Sequence, residues 1–457
     1  MLVENDTPLV LKSVDGALGD REQACSIVVK GCFRLVQAGT AVFHSRPPMF
    51  MEDTPFRDDI GRSLAWPSDL ELFKPNLDFI VLGSFFAPDG LPVSQSMAGF
   101  KFGPMEKAVR IVGARQAVRD AGGHWHVTRP EPLQNLPLRW EYSAGGLDDA
   151  RNPFGLGQDV EGEEGAPSGT GVYHLPMIEG MNDPAWTPDA RPQPVNLAPV
   201  PPMFEQRRSK LGKRDRRWGL FRAPLPPKDY DPSYTNAAPD GQQAEGEPTG
   251  SELLKLYNMH PRHKVLECGL PDFVPYAAVV LRGATRAQPL ALRLDTLIVR
   301  PDLEEMVLLW RAVVPGAANG NEIAKVVCRG RKRAGPETAQ ALADELTAQM
   351  LKAEAAAKAK AKSDFDKLLS AKLAKAEKTA ARNAKLLADA HTDAMQDIQS
   401  LLGNEKMPAD IRSKLTNLSS VEEMEKAAME HMEALLAKME QDYQGLLKSV
   451  AEKSEGA

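Results

Sequence analysis

Histidine is the residue type in this chain that could bind a metal ion or carry acid–base chemistry, and it occurs in two close pairs. His124 and His126 are two residues apart, so on a β-strand both rings would face the same side and could help to ligate zinc. His260 and His263 are followed by Cys268, a loosely zinc-like spacing that lacks a second cysteine pair. These pairs keep a metal-dependent enzyme with a His-based site as an alternative, although a polar strand end explains the first pair more simply.

Other signatures of catalysis are missing from the sequence. It has no nucleophile elbow, no phosphate-binding loop and no dinucleotide-binding fingerprint. The four cysteines are too few and too widely spaced for a disulfide framework, and we interpret them as reduced, buried, small apolar residues. We therefore predict that the protein is not an enzyme and that it needs no cofactor or metal ion.

A dense basic cluster occupies residues 207–217, directly before Trp218. It could bind nucleic acid through phosphates, but the chain has a net charge of −6, which favours a solvated face or a patch for an acidic protein. The N-terminus lacks the basic start and apolar run of a signal peptide, and no stretch approaches the roughly 18 apolar residues of a membrane span. We expect a cytoplasmic protein with no nucleic-acid or membrane partner.

A sharp change of composition near Gly335 divides the chain into two predicted domains, 1–333 and 334–457. The first is rich in Pro, Gly and aromatic residues, and its β-branched, partly alternating runs predict strands in antiparallel sheets. The runs at 276–282, 290–300 and 306–311 are closely spaced, which indicates an antiparallel meander. Residues 127–250 are crowded with Pro and Gly and predict long loops. The expected fold is a β-rich body followed by an α-helical C-terminal arm.

The second predicted domain is a helical, coiled-coil-like extension. Pro336 suits the first turn of a helix, where its missing N–H costs nothing, and no helix breaker follows until about Leu402. A last helix carries apolar residues at intervals of three and four, which form one stripe. The stripe should pack against the preceding helix, a second copy of the chain or another protein. Its main residues are Val421, Met424, Met432, Leu435, Met439, Tyr443 and Leu446.

An ordered set of short blocks between residues 10 and 330 resembles one known family. The blocks are Ala65-Trp-Pro-Ser-Asp-Leu-Glu-Leu-Phe-Lys-Pro75, Val112-Gly113 with Arg115, Pro137-Leu-Arg-Trp-Glu141, Gly145-Gly146, Arg151-Asn-Pro-Phe-Gly155, Pro199-Val-Pro-Pro202, Arg217-Trp218, Pro226-Pro-Lys-Asp-Tyr-Asp231, Asn236-Ala-Ala-Pro-Asp240, Leu292-Arg-Leu-Asp-Thr-Leu297 and Leu309-Trp-Arg311. Together they resemble the bacterial type VI secretion accessory proteins that carry the domain of unknown function 2169. The helical extension lies outside this resemblance.

The resemblance implies an adaptor or chaperone that links a secreted effector to the spike of a contractile secretion machine. We therefore expect a cytoplasmic adaptor whose partners are an effector and a spike protein, with possible self-association through the extension. A secreted effector with a toxic helical tail is a further alternative. The candidate structural and binding residues are Trp66, Arg139, Trp140, Glu141, Asn152, Gly155, Asp231, Asn236, Asp295, Trp310 and Arg311. Among them, Arg139, Glu141, Asp295 and Arg311 could form buried charge-assisted hydrogen bonds that hold the loops.

Overall fold

The computed structural model of the chain describes residues 1–18, 22–120, 122–156, 172–184, 187, 192–317, 322–403 and 408–410, together with positions 430, 434, 437 and 438. Contacts divide the chain into two compact units, Met1–Ala348 and Gln349–Ala457. We call the first unit the body; it contains the sheets and the first ten residues of a long helix.

The strands and helices are as follows, in chain order. The strands are β1 (Leu2–Asn5), β2 (Val10–Leu18), β3 (Glu22–Arg34), β4 (Gly39–Thr40), β5 (Val42–Ser45), β6 (Thr54–Pro55), β7 (Leu64–Trp66), β8 (Leu77–Val81), β9 (Ser84–Phe86), β10 (Gln95–Phe102), β11 (Met105–Val112), β12 (Gln116–Arg119), β13 (Trp125–Val127), β14 (Asn135–Pro137), β15 (Val172–His174), β16 (Ile178–Gly180), β17 (Gln243–Ala244), β18 (Leu253–Tyr257), β19 (Val265–Gly269), β20 (Val274–Leu281), β21 (Gln288–Leu290), β22 (Arg293–Arg300), β23 (Glu305–Pro315) and β24 (Ile323–Arg331). The α-helices are α1 (Glu205–Arg208), α2 (Arg216–Phe221) and α3 (Ala339–Leu402).

The largest sheet in the described part of the chain has seven strands, in the order β17-β8-β22-β23-β3-β2, with β5 also paired to β3. Its central strands are rich in Val, Ile, Leu and Phe, as expected for strands that are covered on both faces. One face packs on a six-stranded sheet in the order β16-β11-β10-β18-β19-β4. The rings of Phe79 and Phe100 stack between the two sheets with their centroids 4.1 Å apart. This sandwich forms the main hydrophobic core.

The opposite face of the seven-stranded sheet is covered by loops and by the short β6–β7 pair. We call it the loop-covered face. Phe50 and Trp66 pack there on a second hydrophobic cluster that contains Val28, Ile298 and Val307. Because loops cover this face, their conformation decides what the sheet presents at the surface.

The predicted fold class is confirmed: a β-rich body with open sheets precedes a long α-helix. The predicted meander is not formed as expected. β20 pairs with β24 and β21 in a four-stranded sheet, whereas β22 and β23 form a hairpin in the seven-stranded sheet. The chain changes sheets between Leu290 and Arg293, where a tight turn joins the Leu292 N–H to the Leu290 carbonyl. The pairing of β8 with β22 is parallel.

Helix α3 begins at Ala339, three residues after Pro336 and thus later than the sequence suggests. Thr338 caps it, since its hydroxyl oxygen accepts the N–H of Ala341. Leu342, Ala343 and Leu346 are buried within the body. The helix ends at Leu402, as predicted. None of the described helices is long and apolar enough to cross a membrane.

The predicted apolar stripe of the last helix lies outside the described residues. The acidic, glycine-rich stretch at 155–171, which the sequence predicts to be a loop, also lies outside the described residues from position 157 onward.

Candidate functional site: a cleft walled by loops

A cleft of about 600 Å³ opens on the loop-covered face of the body. Cys32, Leu82 and Val307 line its sheet side. Residues 45–48, Phe50 and residues 64–66 contribute one wall, and residues 137–139 contribute another. Arg300 at the end of β22, together with Asp302 and Leu303 in the turn that follows, lines it as well. Two of the predicted site residues, Trp66 and Arg139, therefore meet in one concave site of a size typical of ligand pockets.

A fully buried lysine anchors the first wall. Lys30 is 0% exposed, and its amine donates to the Asp69 carboxylate at 2.5 Å and to the Pro48 carbonyl at 2.7 Å. The same amine lies 4.4 Å from the Trp66 ring centroid and 5.0 Å from that of Phe50. Burial lowers the pKa of Lys30, while the charge of Asp69 opposes that shift. One cation thus holds both aromatic rings of this wall in place.

The Asp69 carboxylate is shared among three donors. Besides Lys30, it accepts the backbone N–H of Phe50 at 2.8 Å and the indole N–H of Trp66 at 3.1 Å. A buried carboxylate with this many donors is satisfied as an anion and fixes the geometry of its partners. Trp66 is therefore a structural element of the cleft wall.

A second buried ion pair holds the chain just beyond Asp69. Arg311 donates to the Asp295 carboxylate at 2.6 Å, and both side chains are almost fully buried. The guanidinium also donates to the backbone carbonyls of Asp69, at 3.0 Å, and of Glu71. Arg311 and Asp295 lie on β23 and β22, so this pair fastens the loop directly to the sheet.

A third buried ion pair, Lys74–Asp78, holds residues 236–237, which follow the basic cluster in the chain. Lys74 donates to Asp78 at 2.8 Å. Asp78 also accepts the side-chain amide of Asn236 at 2.8 Å and the N–H of Ala237 at 2.9 Å. Asn236 is thus a buried residue whose hydrogen bond to Asp78 helps to hold the loop-covered face in shape.

Asp231 plays a more local part at the surface. It caps the short helix Pro232–Thr235 by accepting the N–H of Ser233 at 2.9 Å. That hydrogen bond holds the pKa of the Asp231 carboxyl below its ordinary value.

Ser63 ties the other wall to the first. Its hydroxyl accepts the Trp140 N–H at 2.8 Å and donates to the Glu141 carboxylate, which also accepts the Ser63 N–H at 3.0 Å. The Trp140 indole N–H donates to the Pro199 carbonyl at 2.9 Å, and its ring lies against Phe204 with the centroids 5.2 Å apart. Trp140 is therefore the centre of a small secondary core.

Asn152 and Gly155 complete the support behind Trp140. The Asn152 amide donates to the carbonyls of Trp140, at 2.9 Å, and Ala144, at 2.8 Å. A Cβ on Gly155 would lie 2.5 Å from the Asn152 amide nitrogen and 2.7 Å from the Ala144 carbonyl. The close approach of these two loop segments therefore needs glycine at position 155.

Arg139 differs from the other predicted charged residues. Its guanidinium lies 3.6 Å from the Phe56 ring centroid, and in the part of the chain that the structure describes it has neither a hydrogen-bond acceptor nor a carboxylate partner. Asp295, Arg311 and Glu141 make the expected charge-assisted hydrogen bonds, but Arg139 does not. The prediction was therefore wrong for Arg139: the nearby Glu141 carboxylate is bonded to Ser63 instead.

Trp310 belongs to the main core rather than to the cleft. It is buried next to Phe33, with the ring centroids 6.4 Å apart. On the sheet side of the cleft, burial raises the pKa of the Cys32 thiol, which stays protonated near neutral pH and is a poor nucleophile.

The candidate histidines form no metal centre within the described residues: no group of three or more His, Cys, Asp or Glu side chains there could hold an ion. His126 lies 2.7 Å from the Asp120 carboxylate at an exposed sheet edge. His260 is engaged through both ring nitrogens, with the N–H groups of Arg262 and His263 at 3.1 Å and with Glu304 at 3.2 Å.

The basic cluster at 207–217 has two parts. Arg207 is buried and donates to Asp53 at 2.8 Å and to the Val200 carbonyl at 2.9 Å. Lys213, Arg214, Arg216 and Arg217 are exposed. The cluster thus has one structural arginine and a solvated remainder.

Several residues that build the cleft were missed by sequence reasoning, notably Lys30, Ser63 and Asp69. A signal existed for Lys30, since a lysine in the middle of the apolar strand 24–33 needs a buried partner. No sequence signal identifies the pairing of Ser63 with Glu141 or of Asp69 with Lys30, because these partners are 78 and 39 residues apart along the chain.

Comparison with known proteins gives one family and no closer relative. A model of the family described as "Uncharacterized protein conserved in bacteria (DUF2169)" matches residues 20–311. None of the curated proteins and none of the solved structures compared with the chain matches it. The matched region includes β3, β8, β22 and most of β23, and every residue that lines the cleft. Since the match covers more than half of its length, this chain belongs to the DUF2169 family of uncharacterized bacterial proteins.

Proposed function

We propose that the protein is a non-catalytic adaptor whose cleft docks a segment of another protein. The observation that supports this most is that the buried charged side chains hold the loops in place. Lys30, Asp69, Asp295 and Arg311 hold loops against the sheet, so their interactions define a fixed concave surface. A pre-formed surface of this kind lowers the entropy that binding must overcome.

The lining favours binding over chemistry. It combines proline and aliphatic side chains with aromatic residues and arginines, and the last two types are enriched at protein interfaces. The thiol that lines it, that of Cys32, has a raised pKa. The resemblance to type VI secretion accessory proteins suggests the setting: a cytoplasmic protein that loads an effector onto the spike.

The C-terminal stripe would supply a second contact in this proposal. Helix-in-groove or coiled-coil pairing suits its spacing, with the effector or a second copy of the chain as partner. The body and the extension would then bind different partners.

Co-purification tests the proposal. The full chain is expressed with effector and spike proteins from its own bacterium, and the partners that elute with it are identified. Leu303, 52% exposed on the cleft rim, is changed to Arg to obstruct the cleft. Leu147→Arg is the matched control, since Leu147 is 90% exposed and does not line the cleft. We expect Leu303→Arg to lose one partner and Leu147→Arg to lose none.

A second arm tests the extension. A chain that ends after Ala348 keeps the buried residues Leu342, Ala343 and Leu346 and should remain folded. It should lose the partner that the cleft variant retains. Retention of every partner by both variants would disprove the adaptor proposal, and stoichiometric zinc with measurable turnover would favour the enzyme alternative.

A further inference from the structure

We infer that the cleft recognises an aspartate or glutamate side chain in an extended segment of the partner, with Arg139 as the group that binds the carboxylate. The inference rests on the proposed docking function and adds the chemistry of the segment that docks. The charged residues of the site then have different roles: most of them hold the cleft in shape, and Arg139 binds the carboxylate of the partner.

The position of the Arg139 side chain is the first observation that supports carboxylate binding. The guanidinium stacks on the Phe56 ring, at 3.6 Å from its centroid, so one face is covered and the position of the plane is fixed. Its N–H groups lie in that plane, so they are directed alongside the ring rather than towards it. They meet no acceptor among the described residues. A half-buried, pre-positioned guanidinium with free N–H groups is suited to a bidentate carboxylate.

The charge balance of the lining supports an anion. The cleft is lined by Arg46, Arg139 and Arg300, and by the carboxylates of Asp302 and Glu305, which is three positive charges against two negative. Arg300 is already paired with Glu305 at 2.8 Å. Arg46 donates to backbone carbonyls, those of Thr7 and Pro8. Within the described residues, Arg46 and Arg139 are therefore the lining cations without a carboxylate partner, and apolar walls strengthen their field.

The other lining residues determine which side chains of the partner can lie next to its carboxylate. Phe50, Phe56 and Trp66 provide aromatic surface, and Pro47, Pro48 and Pro137 provide aliphatic surface. Such surfaces bind aliphatic or proline side chains of extended peptides. A volume of about 600 Å³ accommodates a few side chains rather than the face of a domain. The segment is thus short, mainly apolar and acidic at one position.

A peptide selection tests the inference directly. A library of random heptapeptides, displayed internally so that no free C-terminus is offered, is selected on the full chain and on Arg139→Met. Methionine preserves an unbranched apolar stem against Phe56 but removes the charge. We expect peptides selected on the unmodified protein to be enriched in Asp or Glu beside Pro, Leu, Ile or Val, and that acidic enrichment to vanish on Arg139→Met.

A double-mutant cycle then assigns the contact. The best acidic peptide and its Asp→Asn or Glu→Gln counterpart are titrated into both proteins, with fluorescence anisotropy as the readout. Removing either charge should weaken binding on the order of tenfold or more, and removing both should weaken it little further. Arg262→Met is the control, because Arg262 is an exposed arginine outside the cleft.

Three results would overturn the inference: no peptide is enriched, the enriched peptides lack a common carboxylate, or Arg139→Met selects the same acidic peptides. The adaptor proposal is judged separately by co-purification. If Leu303→Arg loses a partner that Arg139→Met retains, the cleft docks a partner but not through this carboxylate.

Discussion

The body and the helical residues 349–402 owe their structures to different physics. In the body, charged side chains are buried in pairs such as Lys30–Asp69 and Arg311–Asp295, and loops take shapes that only these contacts define. In residues 349–402, the described side chains are exposed or half-exposed, and the helix relies on Ala-rich sequence and local pairs such as Glu354–Lys358 at 2.8 Å. Distant contacts specify the first region, whereas local preference specifies the second.

This contrast has a functional consequence. A surface held by distant contacts is fixed before any partner arrives, which suits recognition of a particular shape. A helix that forms by local preference tolerates substitution along its length and does not by itself present a specific binding surface. We therefore expect binding specificity to be concentrated in the body.

The largest expected effect comes from breaking a buried ion pair of the body. Arg311→Met leaves the Asp295 carboxylate buried without its partner and should lower the free energy of unfolding by about 3–5 kcal/mol. Arg262→Met breaks an exposed pair with Glu304 and should cost at most about 1 kcal/mol. Denaturant unfolding of both variants measures the difference, and equal costs would contradict the contrast between buried and exposed charges.

The next effect separates the buried first turns of α3 from the solvent-exposed part of the same helix. Leu342 is 2% exposed and Leu387 is 60% exposed, although both lie in the same helix. Leu342→Ala should cost about 2–3 kcal/mol, because it leaves a cavity, whereas Leu387→Ala should change stability by less than about 0.5 kcal/mol. Thermal unfolding followed by tryptophan fluorescence reports on the body, since all six tryptophans precede residue 336. A large effect of Leu387→Ala would show that the exposed part of the helix is packed in solution.

A smaller effect separates glycines that are needed for packing from those that are not. Gly155→Ala should destabilise the body by roughly 1–2 kcal/mol, because the new methyl group meets Asn152 and the Ala144 carbonyl. A Cβ added to Gly219 in α2 would meet no atom within 4 Å beyond its own helix backbone, so Gly219→Ala should be neutral or stabilise by up to roughly 1 kcal/mol. Chemical denaturation compares the two, and the reverse order would refute the assignment of Gly155.

The smallest effect concerns a contact that is local even within the body. Asp231→Ala removes the cap of Pro232–Thr235 and should cost about 0.5 kcal/mol at pH 7. The folded pKa of Asp231 is lowered, so this stabilisation is complete above the unfolded value of about 3.9 and is lost as the pH falls through the folded pKa. The difference between the two proteins should therefore narrow from pH 7 towards pH 3. A difference that grows on acidification would contradict this reasoning.

The prediction of the candidate site was partial for a physical reason. Trp66, Arg139 and Arg311 were identified as important, but sequence alone did not separate the residue that faces the cleft from those that build it. Glu141 and Arg139 are two residues apart and of opposite charge, yet they do not pair; the Glu141 carboxylate is bonded instead to Ser63, 78 residues away along the chain. Lys30 was missed because its partner, Asp69, is 39 residues away.

Residue type and short-range periodicity were enough to predict the β-rich body, the long helix and its end at Leu402. The folded chain was needed to learn that β20 and β22 enter different sheets, that three buried ion pairs hold the loops, and that Arg139 faces the cleft with its N–H groups free. These features depend on contacts between residues far apart in the chain, whose pairing no local pattern encodes. The cleft, and with it the proposed function, arises from those distant contacts.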